Sequence, residues 1–397
     1  MAAGLLEVGV AIAVLALAGM VALRVGLSVI PAYIVAGILV GPNPPTSVAG
    51  VSLQIVPTGE FVAIAAEIGI VLLLFFLGLE FSVGQLLTDW RRITATGTVD
   101  FLINFGLGVA LGIAFGRTPL ETVFIAGVVY ISSSAIVTKS LIEQGWVANP
   151  EADSILGTLV YEDVLIAVYL AVLTAVVGGA GEPSAVAVDV ARAFAVLGAI
   201  AAVAWYATEY VERAFDLPTD ELFLLSVVGT TTLIAGAALA TGVSEAVAAF
   251  FVGTAFSQTG HVEKIEDLVA PVRDFFAAVF FLSIGLETDV TLLSDVALLL
   301  GVAVVATTLS KLVSGTIGGR IYGLSPTRSL RTGIGLVPRG EFSLVIAALA
   351  TSAGGTLAEV VPAFAVGYVL AMSVVGTVLI QEADSVTGTL VPLFERS

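Results

Sequence analysis

The sequence predicts an all-α polytopic membrane protein of about thirteen transmembrane helices arranged as inverted repeats. Three observations carry that prediction. The chain is 58% hydrophobic and only 12% charged, with a mean hydropathy of +1.08, which an ordinary soluble domain does not reach. Apolar windows long enough to cross a hydrocarbon layer about 30 Å thick recur along its whole length. Short glycine- and serine-bearing patterns of the first half return, in the same order, in the second.

The windows run roughly 4–23, 27–41, 60–80, 94–116, 119–142, 151–178, 187–210, 220–240, 243–257, 268–286, 294–322, 328–353 and 361–381. The first lacks a basic leader and carries Glu7 near its start, so it reads as a retained span rather than a cleaved signal. A Pro- and Ser-rich loop covers 42–58, and a Gly-rich break covers 178–184. With no cysteine, disulfides, thiolate metal sites and cysteine nucleophiles are excluded. A net charge of −17 does not suit nucleic acid or anionic lipid as a partner.

Loop charge gives an orientation, because cytoplasmic loops keep Lys and Arg. With thirteen spans, the odd-numbered loops and the tail hold Arg24, Arg91, Arg92, Arg213, Lys264, Arg273, Arg320, Arg328, Arg331 and Arg396, whereas even loops hold almost none. The N-terminus is therefore expected outside, and the C-terminus in the cytoplasm of a cell bounded by this plasma membrane.

Gly26, Ser28, Ala32 and Gly37 recur as Gly242, Ser244, Ala248 and Gly253 at an offset of 216, and Gly78-Leu79-Glu80 recurs as Gly285-Leu286-Glu287 at an offset of 207. An odd number of spans separates the copies, so they are expected in opposite orientations, the arrangement found in secondary transporters. The implied division is 1–178 for the first repeat (spans 1–6), 179–215 for a linker helix (span 7), 216–382 for the second repeat (spans 8–13) and 383–397 for a short cytoplasmic tail, with no soluble regulatory domain.

Two spans carry residues that disfavour a continuous helix. Span 5 has Ser132-Ser133-Ser134 at its middle; span 12 has Gly333, Gly335, Pro338 and Gly340, followed by Glu341. Non-helical backbone at this depth survives only inside protein or beside water, so two broken helices are expected to cross near the midplane. Beside them, span 6 places Glu162 and Asp163 in an apolar run. Burying one carboxylate at mid-bilayer costs at least roughly 2.5–3.5 kcal/mol, so the pair implies a use. Adjacent helical positions point about 100° apart. One acid is thus expected to face a watery cavity, and the other a fixed partner.

Lys311 lies too deep in span 11 to snorkel and needs an acidic partner, for which Glu162 or Asp163 is the natural choice. Arg339 reads as a structural clamp ahead of a direct ion contact. Lys139 reads as reaching the interface, and Glu67 as making a helix-bridging hydrogen bond ahead of a transport role. Glu80 and Glu287 close their helices at the interface. A partly desolvated carboxylate near neutral pH holds a proton or a small cation but not both, and competition at one such site is enough for exchange. Asp163 would carry the transported cation; Ser132, Ser133, Ser134 and freed backbone carbonyls would complete its oxygen shell, and Lys311 would stabilise the empty site. Such a protein is a transporter rather than an enzyme and needs no cofactor beyond transported Na+ or K+ and H+. A cation channel and an intramembrane aspartyl protease are the rival readings. Inverted repeats and a lysine beside the acids argue against an open pore. Asp163 is the one convincing mid-span aspartate, with Asp100 the nearest second candidate for a protease.

Glu162-Asp163, the Ser-Ser-Ser-Ala-Ile-Val run from Ser132 to Val137, Phe280-Phe281-Leu282-Ser283-Ile284-Gly285, Lys311, and Gly335-Leu336-Val337-Pro338-Arg339-Gly340-Glu341-Phe342-Ser343 together resemble the monovalent cation/proton antiporter-2 family, which includes sodium/proton and Kef-type potassium antiporters. The resemblance covers essentially the whole chain. It implies a homodimer with a moving six-helix core, Asp163 as the ion-binding aspartate, and Lys311 as the lysine that pairs with the preceding acid. The family pattern has Asp, Gln or Asn before the aspartate, and Glu162 departs from it; sodium is expected ahead of potassium. Regulation, where it exists, is expected from a separate cytosolic subunit.

Overall fold

A computed structural model describes residues 2–43, 47–48, 51–52, 56, 59–80, 83–178, 188, 191, 195, 208–240 and 245–394. In hydrocarbon every backbone N–H and C=O must find a partner within the protein, and the chain answers with helices. They are α1 (Ala2–Arg24), α2 (Val29–Val40), α3 (Glu60–Glu80), α4 (Val83–Ala114), α5 (Pro119–Tyr130), α6 (Ser134–Glu143), α7 (Pro150–Gly178), α8 (Thr208–Ala214), α9 (Asp220–Ala240), α10 (Glu245–Phe256), α11 (Val262–Glu287), α12 (Leu293–Ile321), α13 (Pro326–Gly335), α14 (Glu341–Ala353), α15 (Gly355–Gln381) and α16 (Ala383–Phe394). A hairpin pairing Ser47 with Ser52 and Val48 with Val51 sits in the Pro-rich loop, and a short 3-10 turn, Val290–Leu292, leads into α12.

Nine stretches of helix among the described residues are long and apolar enough to cross a membrane, and three shorter apolar helices accompany them, α2, α10 and α14. The expected seventh span, 187–210, lies almost wholly outside the described residues, as do Gly242 and Ser244 of the repeat. Helix α4 begins at Val83, well before its apolar window, because hydropathy marks the lipid-facing stretch and not the point where i to i−4 bonding stops. The C-terminal segment is itself a helix, α16, whose Val386, Leu390 and Val391 pack on a cluster containing Leu336, Ile380 and Ala383.

Both expected interruptions are present. The first separates α5 from α6 at Ile131-Ser132-Ser133, where the Ser133 hydroxyl caps α6 by accepting from Ile136 N–H at 3.2 Å. The second separates α13 from α14 over Leu336 to Gly340. Each broken helix starts with a strong signal: Thr118 and Glu121 form a capping box with Pro119 in the first turn, and Ser325 caps α13 ahead of Pro326.

The chain divides into two compact units. One comprises Met1–Pro57, Leu87–Asp163 and Ile284–Ser397; the other comprises Thr58–Leu86 and Val164–Ser283. Within the second unit α3 and α10 meet backbone to backbone. A Cβ at Gly78 would lie 1.9 Å from the Phe250 carbonyl oxygen and 2.8 Å from Thr254 N; one at Gly253 would lie 1.9 Å from the Phe75 oxygen. Within the first unit a Cβ at Gly285 would lie 2.1 Å from the Ile34 oxygen and 2.9 Å from Ile38 N. Gly285 follows Gly78 by 207 residues, while Phe250 and Thr254 follow Ile34 and Ile38 by 216, the two offsets of the sequence repeat.

Such contacts leave no room for a methyl group. Gly78→Ala and Gly253→Ala are expected to destabilise by about 1–3 kcal/mol or more through overpacking. Gly106→Ala on α4, with nothing within 4 Å, should be neutral or stabilising. Thermal melting of the detergent-purified variants checks the contrast, and equal melting temperatures for all three would refute it.

Candidate functional site

The two interruptions meet in the first unit. Ser133 N–H donates to the Pro338 carbonyl at 2.9 Å, and the Ser132 hydroxyl lies 3.1 Å from the Leu336 carbonyl. Breaking a helix strands carbonyls at one end and N–H groups at the other, and charged side chains collect both. Arg339, fully buried, donates from Nε to Val129 O (3.1 Å), at the end of α5, and from Nη1 to Leu336 O (2.9 Å), Val337 O (2.8 Å) and Pro338 O (3.3 Å), at the end of α13. Glu341 serves the opposite ends. It accepts from Ala135 N–H (3.1 Å), in the first turn of α6, and from the Ser133 hydroxyl (2.7 Å), while occupying the first position of α14. A cation therefore sits at two helix C-termini and an anion at two N-termini, which is the favourable sign in each case. Ser343 adds a bond to Val128 O at 2.8 Å.

Helix α7 brings Glu162 and Asp163 to this junction, and the two acids meet different surroundings. Glu162 is fully buried and held from several sides. Ser132 N–H donates to Oε2 at 2.5 Å, the Ser132 hydroxyl to Oε1 at 3.0 Å, and the Lys311 ammonium to Oε1 at 2.7 Å. Asp163 retains 9% exposure and receives the Ser134 hydroxyl at 3.2 Å. Both acids are buried, and Glu162 is the one held by the lysine and by a backbone N–H.

Lys311 meets Glu162, one of its two expected partners, and gains a second acid. Besides Glu162 it binds Asp100 Oδ2 at 2.6 Å and not Asp163, and its ammonium stands 5.4 Å from the centre of the Tyr130 ring. Asp100 was read from sequence only as a second aspartate for a protease. The signal was nevertheless there: a lone acid mid-span in α4 needs a cation for the same reason that Lys311 needs an anion. Asn104, one turn on, donates to Asp100 Oδ1 at 2.9 Å, and the Ser314 hydroxyl donates to the same oxygen at 2.7 Å.

Glu67 is not part of this constellation. It belongs to the second unit and is exposed on α3. Lys139 is exposed on α6, and Glu287 is exposed at the end of α11. A second charged cluster went unread. Glu151, in the first turn of α7, is buried beside Arg328 (3.5 Å) and Arg331 (3.2 Å), and Arg331 also binds Asp384 of α16 and stacks over the Trp146 ring. Sequence treated these arginines as loop charges, because their partners come from distant parts of the chain.

Known proteins resemble this chain over almost its whole length. Residues 10–382 match the family model described as "Sodium/hydrogen exchanger, transmembrane". The chain belongs to the sodium/hydrogen exchanger family. This exchanger is 37% identical to the K(+)/H(+) antiporter subunit KhtU of Bacillus subtilis over 98% of its own length and 96% of the relative's. It is 29% identical to the ammonium/H(+) antiporter subunit AmhT of Alkalihalophilus pseudofirmus, over 96% and 94% of the two chains. Its fold matches the sodium proton antiporter MjNhaP1 of Methanocaldococcus jannaschii with a TM-score of 0.72 at 15% identity, covering 98% of this chain and 99% of that one. It is a multi-pass membrane domain of the Kef-type monovalent cation/proton antiporter class, a secondary transporter rather than an enzyme.

Removing one member of a buried charge network leaves the others uncompensated. Lys311→Ala strips the counter-charge from two buried carboxylates and is expected to destabilise the exchanger by about 3–5 kcal/mol. The deficit should narrow on acidification, since protonating the orphaned acids removes the buried charge. Melting curves between pH 5 and pH 8 test this, and a variant as stable as the parent across that range would contradict the pairing.

Proposed function

We propose that the exchanger moves a potassium-class monovalent cation against protons by alternating access at Asp163. The observation that carries this assignment is the contrast within one pair of neighbours. Glu162 is bound by Lys311 and the Ser132 backbone with no exposed surface, whereas Asp163, also buried, retains 9% exposure and takes the Ser134 hydroxyl at a helix interruption. A carboxylate so placed binds a proton or a cation in turn. Oxygens at the break, those of Ser132, Ser133 and Ser134 included, would replace part of the ion's water shell. Arg339 and Glu341 serve the break by fixing the half-helix ends rather than by touching the ion, and Glu162 with Lys311 sets the charge against which Asp163 works.

The printed names of the relatives support potassium ahead of the sodium expected from sequence, since KhtU is described as a K(+)/H(+) antiporter subunit. Both KhtU and AmhT are described as subunits, which supports a separate regulatory partner for this chain too. Thirteen spans in two inverted repeats, with residues 187–210 as the linker span, form the architecture of this proposal. The paired close contacts of Gly78 with Phe250 and Gly285 with Ile34 at constant offsets support it. A homodimer and an orientation with the N-terminus outside complete it, resting on family resemblance and on loop charge.

Proteoliposomes with a preset pH gradient provide the test. Adding potassium should collapse the gradient, more effectively than sodium or lithium, and Asp163→Asn should abolish the response while the protein stays folded. Near-parental rates in Asp163→Asn would remove Asp163 as the carrier, and collapse only in the presence of an electrical shunt would favour a channel. Each net charge moved couples to the membrane potential by about 2.3 kcal/mol per 100 mV, so the response of rate to an imposed potential distinguishes electrogenic from electroneutral exchange.

A further inference from the structure

One carboxylate would neutralise Lys311, yet the structure supplies two. A second buried anion is unfavourable unless it is fully hydrogen-bonded, and Asp100 is. Its Oδ2 takes the ammonium at 2.6 Å, and its Oδ1 accepts from Asn104 (2.9 Å) and Ser314 (2.7 Å). Asn104 is fixed in turn: it donates to the Asp100 carbonyl at 2.9 Å and to the Ser314 hydroxyl at 3.0 Å, and accepts from the Ser310 hydroxyl at 2.6 Å. Ser310 and Ser314 flank Lys311 on α12, and Asp100 and Asn104 lie one turn apart on α4. This lattice ties the lysine head group to the α4–α12 side of the site, opposite the α7 acid.

We propose that Asp100 is a positioning residue for the exchange reaction, holding the Lys311 ammonium on α4 and α12 so that Glu162 shares it rather than captures it. Lys311 then acts as a stationary cation. It stays in place when its contact with Glu162 loosens, and does not swing toward Asp163. The charged and titratable groups around it are Asp100 from α4, Tyr130 from α5, Glu162 from α7 with Asp163 next in sequence, and Tyr161, whose hydroxyl lies 3.2 Å from that of Thr98. In this arrangement Asp100 acts on Asp163 through the lysine and through its own negative charge. The inference rests on Asp163 being the carrier.

The liposome assay, run with potassium across a series of pH values, tests the role in the parent, Asp100→Asn, Asp100→Glu and Asn104→Ala. Loss of the Asp100 charge makes the site more positive, weakening proton and cation binding alike. Asp100→Asn is therefore expected to raise the apparent KM about tenfold and to move the pH midpoint toward acid by about one unit. Asp100→Glu, which restores the charge, should recover both. Asn104→Ala, which loosens Asp100 without removing it, should raise KM by a smaller factor and serves where Asp100→Asn does not fold. A folded Asp100→Asn, or Asn104→Ala, with parental KM and pH midpoint overturns the proposal. So does a change in yield or maximal rate alone, which a purely structural residue would give. Exchange that survives Asp163→Asn counts instead against the carrier assignment on which the inference depends.

Discussion

The Lys311 ammonium between Asp100 and Glu162 is the interaction on which the site depends. In the low dielectric of a membrane interior neither a lone lysine nor a lone pair of acids would persist, and each member is tolerable only because the others are within hydrogen-bonding distance. The contact joins α4, α7 and α12 at one point. Through the Ser132 bonds to Glu162 it also reaches the interruption between α5 and α6. A network linked in this way does not divide into pairwise contributions, because the removal of one group changes what every other group is bonded to.

The broken helices follow the same physics in the backbone. A helix interrupted in hydrocarbon leaves donors and acceptors that lipid cannot satisfy, and the protein answers with the side chains of Arg339 and Glu341 and with bonds between the two breaks. Helix α15 closes the arrangement from outside, since Gly376 lies so near Pro338 that a Cβ there would meet its ring at 2.6 Å. The outcome is an irregular backbone whose polar groups are bonded within the protein, next to the Ser134 hydroxyl and the Asp163 carboxylate that accepts from it.

The same reasoning explains how a fold can match MjNhaP1 at a TM-score of 0.72 with 15% identity. Span positions depend on hydropathy, and the breaks depend on residue classes such as serine, glycine and proline; both survive wide substitution. Close helix contacts need only small residues, as at Gly78 and Gly253. The charged groups are constrained more tightly, because each must find its own partner.

The apolar windows, the two interruptions and the demand for partners at Glu162, Asp163 and Lys311 were legible in the sequence, for a physical reason: hydrophobic length, helix-breaking residues and the cost of buried charge are local properties. The ends of α4 and the helical nature of residues 383–394 were not, since hydropathy reports the lipid layer and not where backbone bonding ends. Only tertiary structure decided that Asp100 shares Lys311 with Glu162, that Glu151 lies beside Arg331, and that Glu67 is exposed. Asp100 and Lys311 are 211 residues apart, and whether two such side chains meet depends on the rotation and depth of each helix against its neighbours, which packing fixes and no single stretch of sequence encodes.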